Sequence, residues 1–164
     1  MTLNDIAEGD RVLIDANILI YAKRAMSEQC RRFLERCAQR EVNGVLTTVA
    51  VAEFCHRRMM QEAQSRGLSG SNPAKALSQD SALVRQLTQY RQDMDDLLAG
   101  EFAVLGIEAA DFIKALELQR QHGLLTNDSL HLAVGLRAGV NHLATADPQF
   151  DVVSGVTVFK PGDL

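Results

Sequence analysis

The sequence predicts an α/β protein: a three-layer α/β/α sandwich around a mostly parallel central sheet, with a helical insertion at about residues 66–100. Three observations predict it. Short apolar, β-like runs alternate with longer stretches of helical periodicity, and strands separated by helices imply parallel βαβ units. The 164 residues make about one domain of ordinary size, enough to bury a core without disulfides. Hydrophobic residues at 46% and charged residues at 23% match an ordinary soluble globular protein, which excludes a largely disordered chain or a fibrous repeat.

Taken in order, Val12-Leu13-Ile14 is a short apolar run ending at Asp15, and Asn17 opens an apolar helical stretch to about Arg24. Ser27 caps a helix expected to reach about Val42, with Cys30, Phe33, Leu34 and Cys37 on one face. Gly44 breaks it, Gly44 to Thr47 reads as a second strand, and a helix from about Thr48 to Gln64 follows. Residues 66–73, RGLSGSNP, have loop composition. Residues 74–99 carry Leu77, Val84, Leu87, Met94, Leu97 and Leu98 among many polar groups. That predicts one or two amphipathic helices with too little apolar material for a separate core. Phe102 to Leu105 is a third strand, and Ala109 to Gln121 is a helix ended by Gly123. Thr126 starts a helix that Gly139 stops, and His142 to Thr145 and Val156 to Phe159 complete the strands. Residues 1–164 are therefore read as one domain carrying an insertion.

No apolar run approaches the ~20 residues that span a bilayer. MTLNDIAEGD carries acids and no basic segment, so no secretory signal and a cytoplasmic location are expected. Cys30, Cys37 and Cys55 form no CxxC pair and are read as reduced thiols packed in a core. A net charge of −4 announces no global basic field, yet leaves room for a carboxylate-lined site beside local basic patches.

In an open parallel sheet, ligands bind beyond the carboxyl ends of the strands, so acids at those places are informative. Asp15 ends the first strand, Glu53 lies early in the helix after the second, and Asp128 is in the first turn of the helix opened by Thr126. Asp147 follows the His142 strand, with Asp151 four residues later. Each has a plainer role: Asp15 as a helix cap, Asp128 as a first-turn acid, Asp147-Pro148 as a turn, Glu53 as half of a buried salt bridge. Together they converge on one end of the inferred sheet. Bare carboxylates repel when crowded, and a hard divalent cation such as Mg²⁺ or Mn²⁺ relieves that repulsion.

The segments VLIDANILIYA, TTVAVAEF, LLTNDSLHLAVGLRAGV and LATADPQFD occur in the order of a PIN domain, and the chain resembles the VapC-type toxins of bacterial toxin–antitoxin systems. The resemblance covers residues 12 to 64 and 102 to 160; the insertion departs from compact toxins of this type. It implies a Mg²⁺- or Mn²⁺-dependent endoribonuclease with Asp15, Glu53, Asp128 and Asp147 as its acidic, metal-holding quartet. Asn17, Thr145 and Asp151 match supporting polar positions. It further implies an RNA substrate, a cognate antitoxin and a homodimer, the dimer surface being sought in an apolar helical face within 17–40 or 74–98.

Lys23, Arg24, Arg57 and Arg58 border the inferred crevice as candidate phosphate contacts. His131, three residues after Asp128, shares its helical face and reads as a substrate contact or as a packed histidine. A haloacid-dehalogenase-like phosphatase would need a second Asp two residues after Asp15, where Asn17 stands. No GxxxxGK[ST] loop is present. The remaining alternative is a non-catalytic PIN-like module that binds RNA or protein.

Overall fold

The computed structural model describes residues 1–68 and 72–164, so the middle of the predicted 66–73 loop lies outside the described residues. The strands are β1 (Arg11–Ile14), β2 (Asn43–Thr47), β3 (Ala103–Leu105), β4 (His142–Ala144) and β5 (Thr157–Phe159). They form one parallel sheet in the order β3-β2-β1-β4-β5. The helices are α1 (Ala16–Lys23), α2 (Glu28–Ala38), α3 (Thr48–Ser65), α4 (Pro73–Gln79), α5 (Ser81–Gln86), α6 (Gln89–Leu98), α7 (Ala109–His122) and α8 (Thr126–Arg137). Short 3-10 turns at Leu3–Asp5 and Pro148–Val152 had no periodicity to announce them. The predicted α/β class and parallel sheet are what the structure has.

Contacts divide the chain into two compact units, Met1–Val51 with Glu101–Leu164, and Ala52–Gly100. The second begins at Ala52 rather than residue 66 because it takes in most of α3.

In the first unit, Leu13, Val45 and Leu143 face a core completed by Ala115 and Leu118 of α7 and Leu130, Leu132 and Ala133 of α8. Val12 and Ile14 alternate to the opposite face, where α1 and α2 pack on each other and α2 meets β2. Asp111, almost wholly buried, clamps α7 to α8 through Arg137 at 2.8 and 3.1 Å. That guanidinium holds the Asp111 carboxyl below the usual range. Cys30 and Cys37 are buried thiols, as predicted, and burial pushes Cys37 up to about 12; Cys55, expected in a core as well, is only partly buried on α3. Gly123, at φ +73, ends α7 in the left-handed conformation that its sequence position implied.

Two boundaries differ from expectation. Helix α2 stops at Ala38, not Val42, because Arg40 takes a left-handed conformation at φ +59. The Glu41 and Arg40 N–H groups then bond back to the carbonyls of Arg36 and Cys37, a Schellman ending built without glycine. Residues 74–99 form three helices instead of one or two. Asp80 halts α4 and caps α5 by accepting from the Ala82 N–H at 2.8 Å, and Asn72 caps α4 through the Lys75 N–H at 3.0 Å.

The second unit has a small apolar cluster of Ala63, Leu77 and Leu87, against which Met59, Met60, Leu83, Val84 and Tyr90 pack. Its polar centre is Glu62, 4% exposed, which accepts from the Thr88 and Tyr90 N–H groups at 2.9 Å each and thereby caps α6 from another helix. Desolvation pushes the Glu62 carboxyl up, but the N–H groups of Tyr90, Thr88 and Gln89 together with Arg66 outweigh it and leave its pKa lowered.

A depressed folded-state pKa means stability that is present above the unfolded value of 4.5 and lost as pH falls through the lower folded one. Urea unfolding should therefore show Glu62→Gln destabilising the chain by ~1–3 kcal/mol at neutral pH. The gap to wild type should narrow as pH drops below 4.5; a pH-independent gap would contradict the assignment.

Gly135 marks where α8 meets the sheet, since a Cβ there would lie 2.6 Å from Leu13 Cδ2. Gly135→Ala should lower the denaturant midpoint by the equivalent of ~1–3 kcal/mol despite alanine's better helix propensity. Combined with Leu13→Val the loss should be less than the sum of the two; an unchanged or higher midpoint for the single variant rules the close approach out.

Candidate active site

The sheet order sets the location. The chain runs outward from β1 through β2 to β3, then returns to place β4 on the other side of β1. The connections that leave β1 and β4 therefore diverge, opening a crevice beyond their carboxyl ends. The parallel ladder continues past the strands, with the Asp15 N–H bonding to the Ala144 carbonyl and the Thr145 N–H to the Phe159 carbonyl, both at 3.0 Å. Register alone thus brings Asp15 and Thr145 side by side.

Asp15 caps α1 by accepting from the Asn17 N–H at 3.4 Å, and is only 9% exposed. Its Oδ2 accepts the Thr145 hydroxyl at 2.6 Å and the Asn17 side-chain amide at 2.5 Å. The same Asn17 amide donates to Thr145 Oγ1 at 3.1 Å, and its Oδ1 accepts the Ala146 N–H at 3.1 Å. Flipping the amide would set its oxygen against the carboxylate, so the network fixes its orientation. Thr145 Oγ1 is fully used: it donates to Asp15 and accepts from Asn17 and from the Asp147 N–H at 3.0 Å.

Of the predicted residues, Asp15, Asn17 and Thr145 form one hydrogen-bonded group to which Asp147 is joined by its backbone. The Asp147 carboxylate caps the Pro148–Val152 turn, accepting from the Gln149 N–H at 2.8 Å. Asp128 sits half-buried in the first turn of α8, where the helix dipole favours an anion. Asp151 lies outside this group and pairs with Lys160 at 2.5 Å. Glu53 belongs to the second unit and pairs with Arg57 at 2.7 Å, one turn further along α3.

Among the candidate cations, Lys23 and Arg24 are exposed at the end of α1. Arg58 is taken up in the second unit by Asp93 and Gln61, at 2.7 and 2.8 Å. His131 is buried, with Nδ1 2.7 Å from Thr47 Oγ1, which also accepts the Ala50 N–H at 3.2 Å and so caps α3. Thr47 is the residue that sequence reasoning missed. A Thr just before a helical run is a capping signal, and here it read simply as the end of a strand. A cavity of about 510 Å³ lined by Arg11, Arg40, Asn43 and Glu101 lies at the opposite, amino ends of the strands, away from these acids.

The donors suit a hard cation: carboxylate oxygens, with no sulfur or imidazole in the hydrogen-bonded group. Among the described residues, no three His, Cys, Asp or Glu side chains are grouped closely enough to hold a metal ion. Mg²⁺ is characteristically held by one or two carboxylates, with waters and substrate phosphates completing the shell, so the oxygens present fit that mode and not a closed cage. No helix among the described residues is long and apolar enough to cross a membrane.

The PIN domain family model matches residues 12–156. The chain belongs to the PIN domain family. PIN domains are generally nucleases, and they generally use divalent metals. Solved structures similar to this PIN domain include VapBC2 from Rickettsia felis bound to a DNA fragment from its promoter, at TM-score 0.62 and 16% identity over 92% of this chain and 98% of that one. A toxin–antitoxin complex from Klebsiella pneumoniae aligns at TM-score 0.62 and 15% identity, over 94% and 100% of the two chains. FitAcB from Neisseria gonorrhoeae aligns at 0.52 and 18%, over 93% and 99%. At these identities the likeness speaks for the fold. No curated protein sequence matches the chain significantly.

Removing the Thr145 hydroxyl leaves the Asp15 carboxylate and the Asp147 N–H each short of a partner. Thr145→Val should therefore destabilise the PIN domain by ~1–3 kcal/mol in chemical denaturation, while Thr145→Ser, which keeps the hydroxyl, stays close to wild type. Equal stability of the two variants would show that the hydroxyl is not the anchor.

Proposed function

We propose that this PIN domain is a cytoplasmic, Mg²⁺- or Mn²⁺-dependent endoribonuclease, the toxin of a toxin–antitoxin pair, which acts as a homodimer. The observation that carries the reading is the Asp15–Asn17–Thr145 group, a buried carboxylate positioned where the strand order reverses in a family of nucleases. The likeness to solved toxin–antitoxin complexes supports the partner.

In this reading Asp15 and Asp128 would hold the cation, with Asp147 reaching it directly or through water; Asp128 enters through the motif resemblance, which also implies Glu53 as the fourth acid. The cation supplies Lewis acidity at the scissile phosphodiester and a more acidic bound water. Asn17 and Thr145 aim the Asp15 carboxylate by donating to one of its oxygens, as orienting partners do for metal ligands. Lys23 and Arg24 supply phosphate contacts, and Arg57 does so while also pairing with Glu53. Arg58 and His131, engaged by Asp93 and Thr47, contribute by holding structure.

The test is cleavage of a labelled mixed RNA pool by purified protein with Mg²⁺, Mn²⁺ or EDTA, beside Asp15→Asn and Asp128→Asn. The expected result is metal-dependent cutting by wild type that both variants lose. Equal cutting by the variants would place the activity elsewhere. Absence of both cutting and metal binding by the folded protein would favour the non-catalytic binding module.

A further inference from the structure

The cavity at the amino ends of the strands takes no part in the proposed reaction. Its volume, about 510 Å³, is that of clefts that hold small organic ligands, and every residue lining it belongs to the first unit. Strand register assembles it, setting Arg11 beside Asn43 and Val45 beside Ala103. Cys37 of α2 and Val42 add to its apolar side, and burial keeps the Cys37 thiol protonated at neutral pH. Two guanidiniums, of Arg11 and Arg40, and one carboxylate, of Glu101, supply the charge.

We infer that this cavity is a binding site for a small organic phosphate of nucleoside monophosphate size. It needs no cation and none of the residues of the acidic crevice. Arg11 is the group that calls for an anion. Its Nη1 donates to the Ala138 carbonyl at 3.0 Å, and among the described residues it has no ion-pair partner. The carbonyl takes one of five N–H groups and fixes the guanidinium in place, leaving the rest of the fork for an oxyanion.

Arg40 is the second cation. Its Nε and Nη2 both donate to one oxygen of Glu101, at 3.1 and 2.7 Å. The two side chains are 74% and 51% exposed, and ion pairs so open to solvent contribute little. A doubly charged anion therefore displaces Glu101 at small cost. Arg40 also holds its left-handed backbone at the helix end where glycine is favoured. A glycine there would end α2 without strain, and the side chain it would lack is the one that lines the cavity.

Two guanidiniums against one carboxylate leave a net charge of about +1, so the site takes an anion. One fork satisfies a carboxylate, whereas a phosphate monoester has oxygens for two guanidiniums from different elements. The apolar side of Cys37, Val42, Val45 and Ala103 suits the organic body, which bare inorganic phosphate lacks.

The experiment is isothermal titration calorimetry of the full chain with adenosine 5′-monophosphate (AMP) in EDTA, beside adenosine and inorganic phosphate. EDTA removes cation-mediated phosphate binding at the acidic crevice, so failure here and failure of the nuclease reading are distinguishable. AMP should bind saturably, one per chain, with adenosine and inorganic phosphate each at least ~10-fold weaker. Arg11→Gln and Arg40→Gly should each weaken AMP at least ~10-fold, the loss of one charged contact. Arg40→Gly keeps the left-handed helix end, so it should melt no lower than wild type and cleave RNA as wild type does. Glu101→Gln, which releases Arg40, should tighten AMP binding. Lys114→Gln, at an exposed cation that does not line the cavity, should leave it unchanged. Absence of saturable AMP binding, binding that neither arginine variant weakens, or inorganic phosphate bound as tightly as AMP overturns the inference.

Discussion

A carboxylate that is 9% exposed at the end of a central strand must be held by donors, and the donors must come from elements that the sheet itself brings near. Asp15 meets that condition through one hydroxyl and one amide. Thr145 lies beyond β4, which is hydrogen-bonded to β1, and Asn17 lies in the first turn of the helix that Asp15 caps. The parallel register is therefore part of the site. Slipping β4 by one residue would turn Thr145 to the other face of the sheet and take its hydroxyl from Asp15. Asn17 extends the constraint, since its oxygen takes the Ala146 N–H and thereby ties the segment after β4 to the start of α1. One group of side chains closes the switch point and presents a carboxylate at it.

The second unit solves a similar problem with a different outcome. Glu62 is also a buried carboxylate, but its partners are the first N–H groups of α6 and a guanidinium, so its charge is spent on terminating a helix. Arg58 and Asp93, nearly as buried, compensate each other in the same unit. Buried charges with such complete local partners read as architecture. At Asp15, by contrast, Asn17 and Thr145 donate from a topological switch point, where ligand chemistry is expected.

Much of the fold was legible because its signals are local. The strands are short apolar runs, Ser27 caps α2 through the Cys30 N–H, and Gly123 ends α7. The misjudged boundaries lack such signals. Arg40 adopts a glycine-like conformation without being glycine, and Asp80 looks like any exposed acid until its carboxylate is seen capping α5. At the site, Asp15, Asn17 and Thr145 were legible because motif and strand end coincide. The pairings of Arg58 with Asp93 and His131 with Thr47 were not, because they join residues 35 and 84 positions apart with no periodicity linking them.

Helix α7 shows how a pattern that fits the fold can conceal a surface. Its first turns, AADFIKALEL, are apolar on nearly every side, and such a segment ordinarily belongs in a core. The sheet has room for only one of its faces, the one carrying Ala115 and Leu118. Sequence periodicity counts apolar residues without knowing how many neighbours the fold provides, so the excess becomes visible only once the layers are built. Phe112, Ile113 and Leu116 are that excess. They stand on a helix anchored at its other face by Asp111 and Arg137, so their exposure is held in place by the fold.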